Sequence, residues 1–146
     1  MPLSRGTHDL RRAGRVIGLA GVLMAAACLV YAVAAGQSPV WAIVVLLAAG
    51  TVHAFAEVLS QAGAWGLSYE LADPVAAGAY QGIIGTFYSL GSTVGPIVIT
   101  ATALDLGFPG WAMLGGMFLL SALGMTAIAF RAARLSPVPD DAAAAR

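Results

Sequence analysis

The feature that most limits what this chain can fold into is a desert of charge. Between Arg15 and Arg131 lie roughly 115 residues with no lysine, no arginine and only four acids, Glu57, Glu70, Asp73 and Asp105. A water-facing shell is built from charged side chains, about a quarter of the residues in an ordinary soluble domain. Here charged residues are 10% of 146 and apolar ones 60%. Charge confined to the ends and a few joints is the pattern of a polytopic membrane protein.

The desert divides into four apolar runs, about 16–35, 40–66, 79–104 and 111–130. At 1.5 Å per helical residue, each can cross a hydrocarbon core of about 30 Å. Gly36-Gln37-Ser38-Pro39 reads as a turn, Asp73-Pro74 as a break and Asp105 to Gly110 as a short loop. The expected fold class is therefore all-α, a polytopic membrane protein with four transmembrane helices over 16–131. Residues 1–15 make an Arg-rich N-terminal segment. Residues 132–146, with Pro137, Pro139 and an alanine run, make a disordered tail. A signal peptide is the rival reading of the first run. That run is longer than a typical signal-peptide core, and further hydrophobic runs follow.

Four spans place both termini on one side, together with all seven arginines. The positive-inside rule makes that side cytoplasmic, so the expectation is a multi-pass protein of the inner (plasma) membrane with both termini in the cytoplasm. Trp41 and Trp111 then start their helices at the opposite interface, where tryptophan anchors. The formal net charge is zero and no basic patch points to nucleic acid. Two histidines, one cysteine and seven acids give no nucleophile–base pair, and there is no phosphate loop. Neither an enzyme nor a cofactor is expected. One histidine and one glutamate in a span are too small a set for a metal.

The second run carries the informative polar residues. His53, Glu57 and Gln61 are spaced i, i+4, i+8, and Ser60 stands at i+7 from His53, so they share a helix face. An ionisable group inside a span costs about 2.5–3.5 kcal/mol on insertion scales and usually faces a bundle interior or a watery cavity. A carboxyl there can carry a proton or pair with a cationic substrate. The competing reading is structural: Glu57 or His53 bridging helices by hydrogen bonds. The third run has a stripe of small residues, Gly78, Gly82, Gly85, Ser89, Ser92 and Pro96, and a Gly91–Gly95 pair on a second face. Small residues let helices approach closely in lipid, and Pro96 should kink its helix.

The stretch Ala56-Glu57-Val58-Leu59-Ser60-Gln61-Ala62-Gly63-Ala64-Trp65-Gly66-Leu67-Ser68-Tyr69-Glu70-Leu71-Ala72-Asp73-Pro74 leads into Gly78-Ala79-Tyr80-Gln81-Gly82. Ser89-Leu90-Gly91, Gly95-Pro96 and Gly110-Trp111 follow. In order and spacing, these motifs resemble the last helices of major facilitator superfamily permeases, particularly drug-exporter-like members of actinobacteria. The resemblance covers about Arg15 to Arg131. It departs at Ala77, where many relatives carry an arginine that tethers the loop. That family has twelve helices in two halves with the substrate path between them. The resemblance implies that this chain corresponds to helices nine to twelve, the C-terminal part of a proton-coupled permease. Its partners would be the lipid bilayer, a small-molecule substrate and further transmembrane helices, from a missing N-terminal part or an oligomer. Two alternatives stand beside it. One is a self-sufficient small exporter acting as a dimer, although such exporters usually carry a key glutamate in their first helix and the first run here has none. The other is a non-transporting membrane subunit or scaffold, for which the packing motifs would suffice.

Overall fold

The computed structural model describes residues 3–72 and 75–135, with the side chains of 10–69, 71–72, 75–76 and 78–135. Four α-helices fill it: α1 (Leu3–Ala34), α2 (Pro39–Leu71), α3 (Ala77–Ile99) and α4 (Phe108–Leu135). A π-helical turn, Thr100–Leu104, follows α3. No strand occurs among the described residues. Leu10–Ala34, Pro39–Tyr69, Gly78–Leu104 and Phe108–Leu135 are each long and apolar enough to span a membrane. The chain is an all-α, four-helix membrane protein.

The helices overrun the apolar runs. α1 starts at Leu3 and carries its arginines as helical residues. Arginine is a good helix former, and its long stem lets the charge reach the interface while the backbone stays helical. α2 ends at Leu71. Its span would be about 46 Å long at 1.5 Å per residue, so it crosses tilted or projects beyond a core of about 30 Å. α4 continues through Leu135. The Asp73-Pro74 break and the tail from 136 to 146 lie outside the described residues.

Local chemistry sets the turns. Gly36 takes φ +87° just after α1, a left-handed conformation that costs glycine nothing. Pro39 then occupies the first turn of α2, where its missing N–H has no helical partner to lose. Gly107, at φ +60°, opens α4, and its carbonyl accepts the Trp111 N–H at 3.1 Å.

α1 is the hub, lying against α4 on one side and α2 on the other. Its seam with α4 is built from small residues in antiparallel register. A Cβ on Gly14 would come within 2.9 Å of Ala129 Cβ, and one on Gly18 within 3.2 Å of Thr126 Oγ1. One on Gly21 would overlap Ala122 Cβ. Thr126 Oγ1 donates a 3.0 Å hydrogen bond across the seam to the Gly14 carbonyl. Leu10 and Ala133 close this cluster at the arginine end. Against α2 the close approach is at Gly63, where a Cβ would meet Ile17 Cγ1 at 2.6 Å. Leu67 is buried beside it.

α3 stands apart. None of residues 78–99 is buried, and Ile83, Phe87 and Ile97 are 58%, 69% and 67% exposed. Among the described residues, nothing outside the neighbouring backbone of α3 lies within 4 Å of a Cβ placed on Gly78, Gly82, Gly85, Gly91 or Gly95. The glycines of the stripes expected to pack α3 therefore make no close helix contact among the described residues. Pro96 sits inside α3 and offers no N–H to the preceding turn. One turn later the Thr100 N–H reaches the carbonyls of Pro96 and Ile97 as the π-helical stretch begins. That stretch is clamped by α4: Gly110 lies so close that a Cβ there would overlap the Thr102 carbonyl. Ala103, Leu114 and Cys28 form a second buried cluster beside it.

Candidate functional site

The polar face of α2 turns as it descends. Successive residues advance about 100° around a helix, so Glu57 lies about 40° from His53 and Gln61 about 40° further. The four residues grouped by spacing are consequently divided between neighbours. His53 looks toward α1, its ring 6.2 Å from that of Tyr31. Tyr31 in turn lies 5.0 Å from Trp111 of α4. Trp111 is thus partly buried between helices and packs on the Cys28 cluster, whereas Trp41 is 64% exposed at the start of α2. His53 Nδ1 is buried without a hydrogen-bond partner among the described residues. An orphaned polar atom of that kind costs about 1–3 kcal/mol.

Ser60 and Gln61 line a wedge between α2 and α3. The wedge encloses about 410 Å³, and its walls include Ser60, Gln61, Trp65 and Ser68 from α2 with Gly85 and Tyr88 from α3. Its closed end is a single side-chain link: Gln81 Nε2 donates to Ser68 Oγ at 3.4 Å, and Ser68 Oγ donates to the Trp65 carbonyl at 2.9 Å. Gln81 Oε1 is buried and unpartnered among the described residues. Glu57 is exposed, about 40° from Gln61 and one turn away from it toward the start of α2. No hydrogen bond or ion pair engages it among the described residues.

The wedge offers amide and hydroxyl groups between two aromatic rings, and its volume is in the range of small-molecule pockets. Trp65, Ser68, Gln81 and Tyr88 were not among the candidates that spacing singled out. The signal for the α2 side was present, since Ser60, Ala64 and Ser68 repeat at i, i+4, i+8 beside Gln61 and Trp65. Four hydroxyls on and just after α3 make no such demand on a partner. Thr86 bonds the Gly82 carbonyl at 2.9 Å, Ser92 and Thr93 bond that of Ser89 at 2.8 and 3.0 Å, and Thr100 bonds that of Pro96 at 2.8 Å. Ser and Thr satisfied on their own helix can face lipid at little cost.

Comparison with protein-family models, with curated proteins and with solved structures gave no match to this chain. The resemblance to major facilitator permeases therefore rests on the order and spacing of its motifs.

Proposed function

We propose that the chain is one wall of a transmembrane path for a small molecule, the C-terminal part of a facilitator-type, proton-coupled and exporter-like permease. The observation that carries this reading is the open wedge between α2 and α3. A four-helix bundle meant to stand alone would close α3 onto its neighbours. Among the described residues α3 meets α2 near its first turns, where Gln81 bonds Ser68, and packs Val98 on the Cys28 cluster at its far end, and none of residues 78–99 is buried, while α2 turns Ser60, Gln61 and Ser68 toward the gap. Further transmembrane helices would complete the path. The arginine end is the cytoplasmic one, which puts Glu57 inside the membrane with the wedge between it and the cytoplasm.

Glu57 is the coupling group in this reading. As the neutral acid it tolerates a dry surrounding, and as the carboxylate it needs water or a cation. Alternating exposure would favour the two forms in turn. Glu57→Gln keeps size and most hydrogen bonding and removes titration. In vesicles holding the assembled transporter, the variant should lower flux and flatten its pH dependence, with the amount of folded protein unchanged. Flux and pH profile equal to those of the parent would reduce Glu57 to a packing residue. One observation favours the second reading, a non-transporting membrane subunit: the self-satisfied hydroxyls of α3, which need no polar path beside them.

A further inference from the structure

Where α1 and α2 meet at the arginine end, they leave a trough of about 460 Å³ that the transport reading does not use. Its lining includes Arg12, Val16, Leu59, Ala62, Gly66 and Tyr69. Two glycines create it. Ile17 packs into the face of Gly63, and Gly66 faces Ala13 with a Cβ position 3.7 Å from Ala13 Cβ. The helices therefore touch backbone to backbone, and the flanking Val16 and Leu59 form the walls of a furrow rather than filling it. At 100° per residue, the furrow's Leu59, Ala62 and Gly66 lie on the opposite side of α2 from the wedge's Gln61, Ala64 and Ser68.

The chemistry changes along the furrow. Val16, Leu59 and Ala62 make its apolar stretch. Arg12 and the phenol of Tyr69 stand at the end nearest the helix termini. Tyr69 is 67% exposed, and its ring is stacked on Trp65 at 5.9 Å, which fixes its direction. Among the described residues no carboxylate pairs with Arg12. Arg11 and Arg15 flank it on α1, and Arg131 and Arg134 end the neighbouring α4. A guanidinium beside a hydroxyl matches a phosphate diester, and an apolar furrow running on from them matches an acyl chain. Basic pockets between membrane helices on this kind of surface hold anionic head groups.

We propose that this trough is a binding site for one anionic phospholipid of the arginine-side leaflet. Arg12 donates to the phosphate, Tyr69 donates a second hydrogen bond, and one acyl chain lies along Val16, Leu59 and Ala62. Free phosphate lacks the chain and would be held only by the exposed end, so the lipid is the occupant. The site depends on the membrane-spanning fold and not on what the chain transports.

The test is native mass spectrometry of the full chain in mild non-ionic detergent, titrated with phosphatidylglycerol and with phosphatidylcholine of the same acyl chains. The parent should hold one phosphatidylglycerol in preference to phosphatidylcholine, and millimolar inorganic phosphate should not displace it. Arg12→Gln should weaken phosphatidylglycerol about fivefold, the contribution of one interfacial arginine, and leave phosphatidylcholine unchanged. Arg134→Gln, at the same end but outside the trough, should keep the parent affinity. Ala62→Phe, which fills the furrow and spares the charge, should also weaken phosphatidylglycerol. Equal losses for Arg12→Gln and Arg134→Gln would mean diffuse surface attraction and overturn the proposal. So would equal retention of the two lipids by the parent, or an Ala62→Phe variant of parental helix content that binds as the parent does.

Discussion

Gly21→Ala against Gly124→Ala measures the α1–α4 seam. Both glycines lie inside helices, so both variants gain the same propensity, about 1 kcal/mol in water, and that term cancels in the comparison. Their surroundings differ. A Cβ on Gly21 would overlap Ala122 Cβ and stand 3.2 Å from the Phe118 carbonyl, whereas one on Gly124 meets nothing within 4 Å. Ala122 Cβ is fixed to its backbone and has no flexible end to swing aside, so relief must come from the helices moving apart. A gap of 0.5–1 Å forfeits roughly a quarter to a half of the dispersion energy of the contacts it opens. Overpacking of this kind costs about 1–3 kcal/mol. Gly21→Ala should therefore be less stable than Gly124→Ala by about 1–3 kcal/mol. Trp111 reports the event directly, because it lies 5.0 Å from Tyr31 across the same seam. With Trp41 and Trp65 replaced by Phe, sodium dodecyl sulfate titration in mixed micelles, followed by Trp111 fluorescence, gives the two midpoints. Equal midpoints would show that the seam is not close-packed, and the argument for α1 as hub would fail.

Two further outcomes follow from the same geometry. Gly110→Ala sets a Cβ against the Thr102 carbonyl, a backbone atom that cannot swing aside. It should cost at least as much as Gly21→Ala and disturb Trp111 fluorescence before any unfolding; a silent variant would mean that the π-helical turn is not clamped by α4. For orientation, a reporter active only outside the cytoplasm, fused after Arg146, should give no signal, and strong signal would invert the topology.

The four spans were legible because hydropathy and charge act along the whole chain and need no knowledge of neighbours. Their ends were less so. Arg11, Arg12 and Arg15 read as a segment before the membrane, yet a helix does not stop where the bilayer does, and α1 carries them from Leu3 onward. The packing faces were harder still. In a soluble helix the buried face is the apolar one, but in lipid every face is apolar, and small residues are the remaining signal. That signal is ambiguous: Gly14, Gly18 and Gly21 bind a neighbour tightly, while Gly78, Gly82 and Gly85, at comparable helical spacing, make no close packing contact among the described residues. The candidate site was half legible. The spacing of His53, Glu57 and Gln61 marked the helix that lines the wedge, but which neighbour each residue meets, Tyr31 for His53 and the wedge for Gln61, depends on where α1 and α3 lie. Tyr88 and Gly85 reach the wedge through tertiary placement that no local pattern encodes.

The central claim is that the wedge between α2 and α3 is a water-accessible path and not a packed or lipid-filled seam. A small water-soluble maleimide tests it, because it reacts with the thiolate, a form that needs water. In intact membranes of the native assembly, with Cys28→Ser as background, single cysteines replace Gln61 and Gly85, with one in place of Gln37 in the α1–α2 turn as the reactive control. Labelling is expected at all three positions. Labelling at 37 together with inert thiols at 61 and 85 would contradict it.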